Sequence, residues 1–277
     1  MKKHLIIVLF FLILCPDTKG QFNNIESFGA KAVGNGSCIT LFRDISSIYG
    51  NVAGISNINN LAADISYENR FQAFNLSNLG FGLVKNFSKA GSFGVTIKKF
   101  GIEEYSEFQA GINYARKLTD AFSIGIRFNM YNLVIEEYGN RTGYNADFGL
   151  QYELNEQFSL AFYLVNPFPV KFIDDVRLPV LAFMGLKYNV SESLGLYAEI
   201  EKHFDRNFFI KAGLQFDLMK KLSLYGGFRN DLDRFSDFSV GIQYSIAPMI
   251  QLNICSQYNT SFGLSPALGI SYVNSNK

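Results

Sequence analysis

Tryptophan is absent, and histidine, cysteine and proline are scarce, at two, three and six of 277 residues. With only His4 near the N-terminus and His203 in an expected outer loop, a His-based metal site or catalytic triad has no support. His203 reads as a solvated loop residue. Three cysteines supply no disulfide framework. The formal net charge is +1, so nothing in the charge balance argues for a nucleic-acid partner. After the first residues, no apolar run is long enough for a transmembrane helix. No catalytic, metal-ligating or cofactor-binding set emerges, and a non-enzymatic chain is expected.

What is abundant is aromatic and glycine: 28 Phe, 15 Tyr and 24 Gly. The chain starts with "MKKH", a positive stretch, followed by the apolar "LIIVLFFLIL" and then "CPDTKG". This is the pattern of a secretory signal peptide cleaved after Gly20, with export through the Sec pathway. A lipoprotein anchored at Cys15 is disfavoured by the bulky Leu14, where a small residue is wanted. An exported chain rich in Phe, Gly and Tyr, poor in Cys and without a membrane helix, points to a membrane β-barrel.

From Ala63 onward the dominant period is two. In "FQAGINYA", Phe108, Ala110, Ile112 and Tyr114 share one face and Gln109, Gly111 and Asn113 the other. "FSIGIRFNMY" and "YNADFGLQYE" repeat the arrangement, setting Phe128 opposite Asn129 and Tyr144 opposite Asn145. A soluble β-sandwich would alternate too. Here, however, the polar face is rich in Gly, Asn and Gln, as a lumen is. The apolar face carries Phe, Ile and Leu with Tyr near strand ends, as a lipid-facing band is.

Marked by this parity, about fourteen strands follow, an even number as single-chain bacterial barrels require. They are expected to begin near Ala63, Leu79, Ser92, Tyr105, Ala121, Tyr144, Phe158, Val180, Leu194, Phe208, Leu222, Phe235, Ile250 and Leu264. Tight polar connections ("RKLTDA", "LNEQ", "NVSES", "DLMKK", "IAP") alternate with longer ones, chiefly "NLVIEEYGNRTG" and "NPFPVKFIDDVRLP". Short turns face the periplasm and long loops the exterior, which places both ends of the barrel chain on the periplasmic side. The expected fold is an all-β transmembrane antiparallel barrel at 61–277, after a signal peptide at 1–20 and an N-terminal plug at 21–60. Phe128→Arg should impair assembly, and substitution of the inward Asn129 should be milder.

A lumen of this width is not filled by wall side chains alone, and 21–60 is the segment available to fill it. Gly29, Gly34, Gly36, Gly50 and Gly54 permit tight turns and close approach to the wall. "DISSIYG" suits one or two helical turns with Asp44 as N-cap. Arg43 and Asp44 can pair with inward charges such as Glu153, Glu199, Lys211 or Arg229. A phosphate-cradling loop is a poor reading, since "GNGSC" lacks the GK[ST] ending and the dinucleotide spacing.

The stretch Gly29, Ala30, Gly34 and Gly36, then Leu41, Asp44 and Ser46, then Tyr49-Gly50-Asn51-Val52-Ala53-Gly54, resembles the N-terminal signature of FadL-like barrels of the PorV/PorQ group. That signature runs approximately "GARAxGMGGAxxALADDxxAxYWNPAGL". This chain departs from it at Asn35, Cys38, Arg43, Gly50 and Val52, the last in place of a proline. The resemblance implies a fourteen-stranded outer-membrane barrel with its N-terminal segment folded inside. It also implies a Gram-negative, Bacteroidetes source.

Two functions follow from the resemblance. One is an accessory component of type IX protein secretion, contacting secretion proteins or cargo through outer loops; the short outer connections favour it. The other is a FadL-type transporter for hydrophobic small molecules, for which the candidate capture residues are Phe168, Pro169, Phe172 and Ile173. Outer-membrane lipid is the surrounding partner in both. Two weaker features remain. "IEEY" at Ile102 and again at Ile135 sets acid pairs near outer strand ends, where calcium or sugar could bind, although a solvated rim is the plainer reading. Cys38 in the plug and Cys255 on the lumen face could pair in the oxidising periplasm, although two unpaired thiols are favoured.

Overall fold

The computed structural model describes residues 27–274, except 73–75, 103, 138, 169–170, 174–175, 205–207 and 232–234. The expected signal peptide and residues 21–26 lie outside the described residues.

Alternation of apolar and polar residues becomes strand throughout. In the first half these are β1 (Leu61–Asn69), β2 (Ser77–Asn86), β3 (Ser92–Gly101), β4 (Tyr105–Lys117), β5 (Phe122–Ile135), β6 (Gly139–Glu153) and β7 (Phe158–Val165). A short hairpin, β8 (Lys171–Ile173) and β9 (Val176–Arg177), interrupts the series. Then come β10 (Leu181–Asn189), β11 (Leu194–His203), β12 (Phe208–Met219), β13 (Leu222–Asp231), β14 (Phe235–Ala247), β15 (Ile250–Asn259) and β16 (Gly263–Asn274). Fourteen of them close into one antiparallel barrel, β7 pairing with β10 across the β8–β9 hairpin and β1 with β16. Closure leaves no sheet edge to template aggregation and satisfies the backbone internally, as a bilayer demands.

One expected outer loop turns out to be mostly strand. "NLVIEEYGNRTG" is mostly the top of a β5–β6 hairpin that stays paired from Ile135↔Gly139 downward. Asn132 Nδ2 donates to Thr142 Oγ1 across it (2.9 Å), so polar cross-strand pairs sustain the ladder beyond the apolar band. β6 therefore begins at Gly139 rather than near Tyr144. Beyond Asp147↔Val165 it has no β7 partner, and the β8–β9 hairpin lies against it instead. His203 is also not a solvated loop residue. It ends β11, is buried, and its Nε2 makes a short contact with Glu201 Oε1, since inward parity carries it into the lumen.

The outer wall is apolar: Ile65, Leu79, Phe81, Ile97, Ile112, Phe128, Val240 and Ile270 are all exposed. Tyr67, Tyr144, Tyr152, Tyr244, Tyr258 and Tyr272 are exposed toward the strand ends, as an aromatic girdle is. Inside the barrel sits the segment from Ser27 to Asn60. It holds one short helix, α1 (Ala30–Gly34), and two 3-10 turns, Ile45–Tyr49 and Val52–Asn57. Asp44 caps the first by accepting from Ser46 N (2.9 Å), as its position predicts. Asn51 caps the second by accepting from Ala53 N (3.1 Å).

Phe128 is 61% exposed on β5, so Phe128→Arg puts a charge against acyl chains. The variant should lose about 2–4 kcal/mol if it sits near the midplane, measured as urea unfolding from lipid vesicles. Asn129, by contrast, is buried and bonded to Gln109, Asn145 and Asp147, so the lumen there is not the wet surface that a mild substitution requires. Asn129→Ala should cost about 1–3 kcal/mol on the same measurement by orphaning those partners.

Candidate functional site

The inner segment touches the wall where the wall has no side chains. Inward-facing glycines recur around the barrel, among them Gly82 on β2, Gly125 on β5, Gly149 on β6, Gly185 on β10, Gly213 on β12 and Gly227 on β13. A Cβ at each would meet the inner segment at contact or clash distance. At Gly227 it would stand 2.0 Å from Gly36 N, and at Gly185 2.0 Å from Thr40 Oγ1. Gly36 has φ +64° and no room either, its Cβ falling 2.2 Å from Ala212 O. Two chains of backbone are thus in van der Waals contact, which only glycine on both sides permits.

An irregular buried segment leaves peptide groups that must find partners, and wall side chains provide them. Glu199 on β11 accepts at Oε2 from Ile39 N (2.9 Å), Thr40 N (2.9 Å) and Thr40 Oγ1 (2.7 Å). Gln151 on β6 donates to Thr40 O (2.8 Å) and Phe42 O (2.9 Å). Arg127 on β5 donates to Ile48 O (2.9 Å) and Gly50 O (2.7 Å). Asn51 runs the other way, donating to Leu150 O of the wall at 3.0 Å. Buried charges are matched as they must be. Lys211 lies 2.9 Å from Glu199 and 2.7 Å from Glu201 and also donates to Ser37 O. Arg43 pairs with Glu153, as parity anticipates, while Asp44 pairs with Lys31 of the same segment at 2.5 Å. Burial pushes the Asp44 carboxyl up; the Lys31 ammonium and the Ser46 N–H outweigh it and hold the group below the usual carboxylate range.

Toward the outer end the lumen changes character. Tyr131 and Leu133 of β5, Tyr163 and Val165 of β7, and Leu181 and Phe183 of β10 form a buried apolar cluster there, which Leu41 and Phe42 of the inner segment continue down to Tyr197, nearer the periplasmic end of β11. Leu178, from the connection after β7, belongs to it, and Tyr105 and Ile135 pack at its margin. Tyr163 and Phe183 rings lie 5.6 Å apart, and the Tyr163 hydroxyl donates to Asp147 at 3.2 Å. The connection is tied down at its base: Asn166, at φ +51°, donates to Leu178 O (2.8 Å) and Pro179 O (3.3 Å).

The motif residues Gly29, Ala30, Gly34, Gly36, Asp44, Tyr49, Asn51, Ala53 and Gly54 therefore all lie in the inner segment, and all but Asp44 are buried. Of the candidate capture residues, Phe168 is 69% exposed. Phe172 and Ile173 lie on β8, and Pro169 is outside the described residues. The apolar residue that the same connection does bury, Leu178, was not distinguishable in the sequence from the rest of "NPFPVKFIDDVRLP". Cys38 and Cys255 are both buried and free. Cys38 packs among the apolar cluster while Cys255 packs against Gly34, Ala30 and Val33, so the pairing considered from the sequence is not formed. Among the described residues, no group of three His, Cys, Asp or Glu side chains is placed to hold a metal ion.

Gly36→Ala should prevent the inner segment from seating, leaving a barrel that trypsin cleaves within residues 27–60. Glu199→Ala strands two amides and weakens the Lys211 pairing. Amide exchange at Ile39 and Thr40 should rise sharply, with a stability loss of about 3 kcal/mol.

No family model matches this sequence, and no curated protein does. Solved structures do match. A deletion mutant of TodX, a monoaromatic hydrocarbon channel, superposes with a TM-score of 0.74 at 10% identity, over 91% of this chain and 100% of that one. The Ralstonia pickettii toluene transporter TbuX gives 0.69 at 10% identity, over 92% and 100%. A Pseudomonas aeruginosa FadL homologue gives 0.63 at 10% identity, over 94% and 99%. At such identity the likeness is one of fold. The chain has the fourteen-stranded fold of FadL-like outer-membrane barrels.

Proposed function

We propose that this protein carries hydrophobic small molecules across the outer membrane, and that its guest site is the outer apolar cluster. The observation that carries the reading is the segregation inside the lumen. The waist is polar, charged and occupied by backbone, whereas the outer part holds a single aromatic and aliphatic patch with the Tyr163, Tyr105 and Tyr131 side chains in or beside it. Ligand sites are typically apolar with a few placed polar groups, and the Tyr163–Asp147 and Tyr105–Glu107 hydrogen bonds supply them. A guest among Leu133, Phe183 and Tyr163 would take the place of the Leu178–Leu181 cover. The structural neighbours named for aromatic hydrocarbons support the same class of cargo.

A PorV/PorQ-type accessory role in type IX secretion is the competing reading. It rests on short outer connections, and these are shorter still now that "NLVIEEYGNRTG" is strand. The comparisons add nothing to it, and the apolar cluster has no part in it.

The test is equilibrium binding of toluene and of oleate to the purified barrel, with uptake by cells expressing it. Leu133→Thr should weaken binding about tenfold, as lost apolar contact in a pocket does, and slow uptake without unfolding the barrel. Unaltered affinity in that variant would remove the cluster as the site. No binding by wild type, together with copurified secretion proteins, would establish the accessory role instead.

A further inference from the structure

The end of the barrel that carries both its termini holds a second feature, unrelated to the apolar cluster. The β2–β3 and β4–β5 turns there enclose an open cavity of about 500 Å³, lined by Lys89, Arg116, Lys117, Ser56, Asn59 and Ser92. Among the described residues no carboxylate pairs with any of the three cations. The Ser92 hydroxyl, fully buried in the wall of this cavity, has no hydrogen-bond partner. Unpaired cations gathered beside an unused hydroxyl describe a seat for a phosphate-like anion.

The surroundings select the source of that anion. Phe87 and Phe93 are exposed beside the same turns, with ring centroids 5.8 Å apart, and the Tyr114 ring packs at a tilt against Phe93, 4.9 Å between centroids. Leu118, next after Lys117, is exposed too. These rings belong to the lipid-facing surface, so the cations stand at the depth of headgroups with an apolar platform directly beside them. A free phosphate would use the cations and have no use for the platform. A phospholipid uses both. In the β12–β13 turn, Lys220 and Lys221 also sit beside exposed Leu218 and Met219, but they do not line this cavity.

We infer that the β2–β3 and β4–β5 turns form a binding site for an anionic phospholipid of the periplasmic leaflet, its phosphate held by Lys89, Arg116 and Lys117 and its acyl chains lying on Phe93 and Phe87. Basic pockets at a membrane surface recognise acidic lipid headgroups in this way.

Native mass spectrometry of the detergent-purified full-length protein tests the inference, with phosphatidylglycerol, phosphatidylethanolamine, glycerophosphoglycerol or inorganic phosphate added. Wild type should retain phosphatidylglycerol over phosphatidylethanolamine by a factor on the order of ten. The triple variant Lys89→Gln, Arg116→Gln, Lys117→Gln should lose that preference, and Phe93→Ser should reduce retention of the lipid. Lys220→Gln with Lys221→Gln should change nothing. Equal retention of the two lipids by wild type would overturn the site, as would an equal loss from the Lys220/Lys221 pair. If inorganic phosphate or the chain-less glycerophosphoglycerol displaces the lipid at equal concentration, the seat is for a free anion and the lipid assignment fails. Should the triple variant not fold, as read by heat-modifiability on gels, the wild-type competition alone decides the matter.

Discussion

Everything inside this barrel depends on one steric condition: the backbone of the inner segment lies directly on the backbone of the wall. At Gly36 against Ala212 and Phe228, and at Val52 and Ala53 against Gly125, there is no layer of side chains between them. Removing that layer brings peptide groups of the segment within reach of the longer wall residues on either side of the glycines. Glu199, Gln151 and Arg127 can then bond its amides and carbonyls directly. The glycines therefore do more than leave room. They set the distance at which an irregular chain can be satisfied in a dry interior, where each unpaired polar group costs of order 1–3 kcal/mol.

This condition also explains why the lumen is polar without being wet. A lumen face of Asn, Gln and charges reads at first as a water-filled channel. The structure instead uses these residues in closed networks, such as Gln109–Asn129–Asp147 and Lys211–Glu199–Glu201, all buried. Such networks hold a segment in one position, because each member left unpaired is costly in a low dielectric. Apolar packing is spent elsewhere, under Phe28, Ile48 and Tyr49 on one side and in the outer cluster on the other.

How much of this was legible in the sequence follows from the length scale of each signal. Strand parity is a period of two, local and repeated, so the strand starts were readable to within two residues, with the exception of β6. That exception came from residues such as Thr142 and Arg141, where both faces are polar because the hairpin stands clear of the lipid. The pairing of Arg43 with Glu153 and the cap at Asp44 were also within reach, one from parity and one from a local motif. The partners of the wall glycines were not. Each contact joins residues far apart in the chain, and a glycine on a strand looks the same whether it faces water or another backbone. The outer cluster was hidden for the same reason: Leu133, Tyr163 and Phe183 sit on inward positions where parity predicts polar residues, and only the fold shows that they converge.

Those three departures from parity are what the proposed transport role rests on. A lumen required only to be closed would continue the polar networks to its outer rim, since they already satisfy the inner segment at the waist. Here the pattern breaks on β5, β7 and β10, at inward positions near their outer ends that join one cluster. The waist below them is filled by backbone contact that cannot loosen without stranding the amides held by Glu199. On the proposed transport role, a molecule reaching the cluster from outside would meet a fixed floor and be accommodated by rearrangement of the Leu178–Leu181 cover above it. On that proposed role, stability and recognition would be carried by different levels of the same barrel: glycines and charges hold the floor, and the aromatic and aliphatic side chains above it would select a guest.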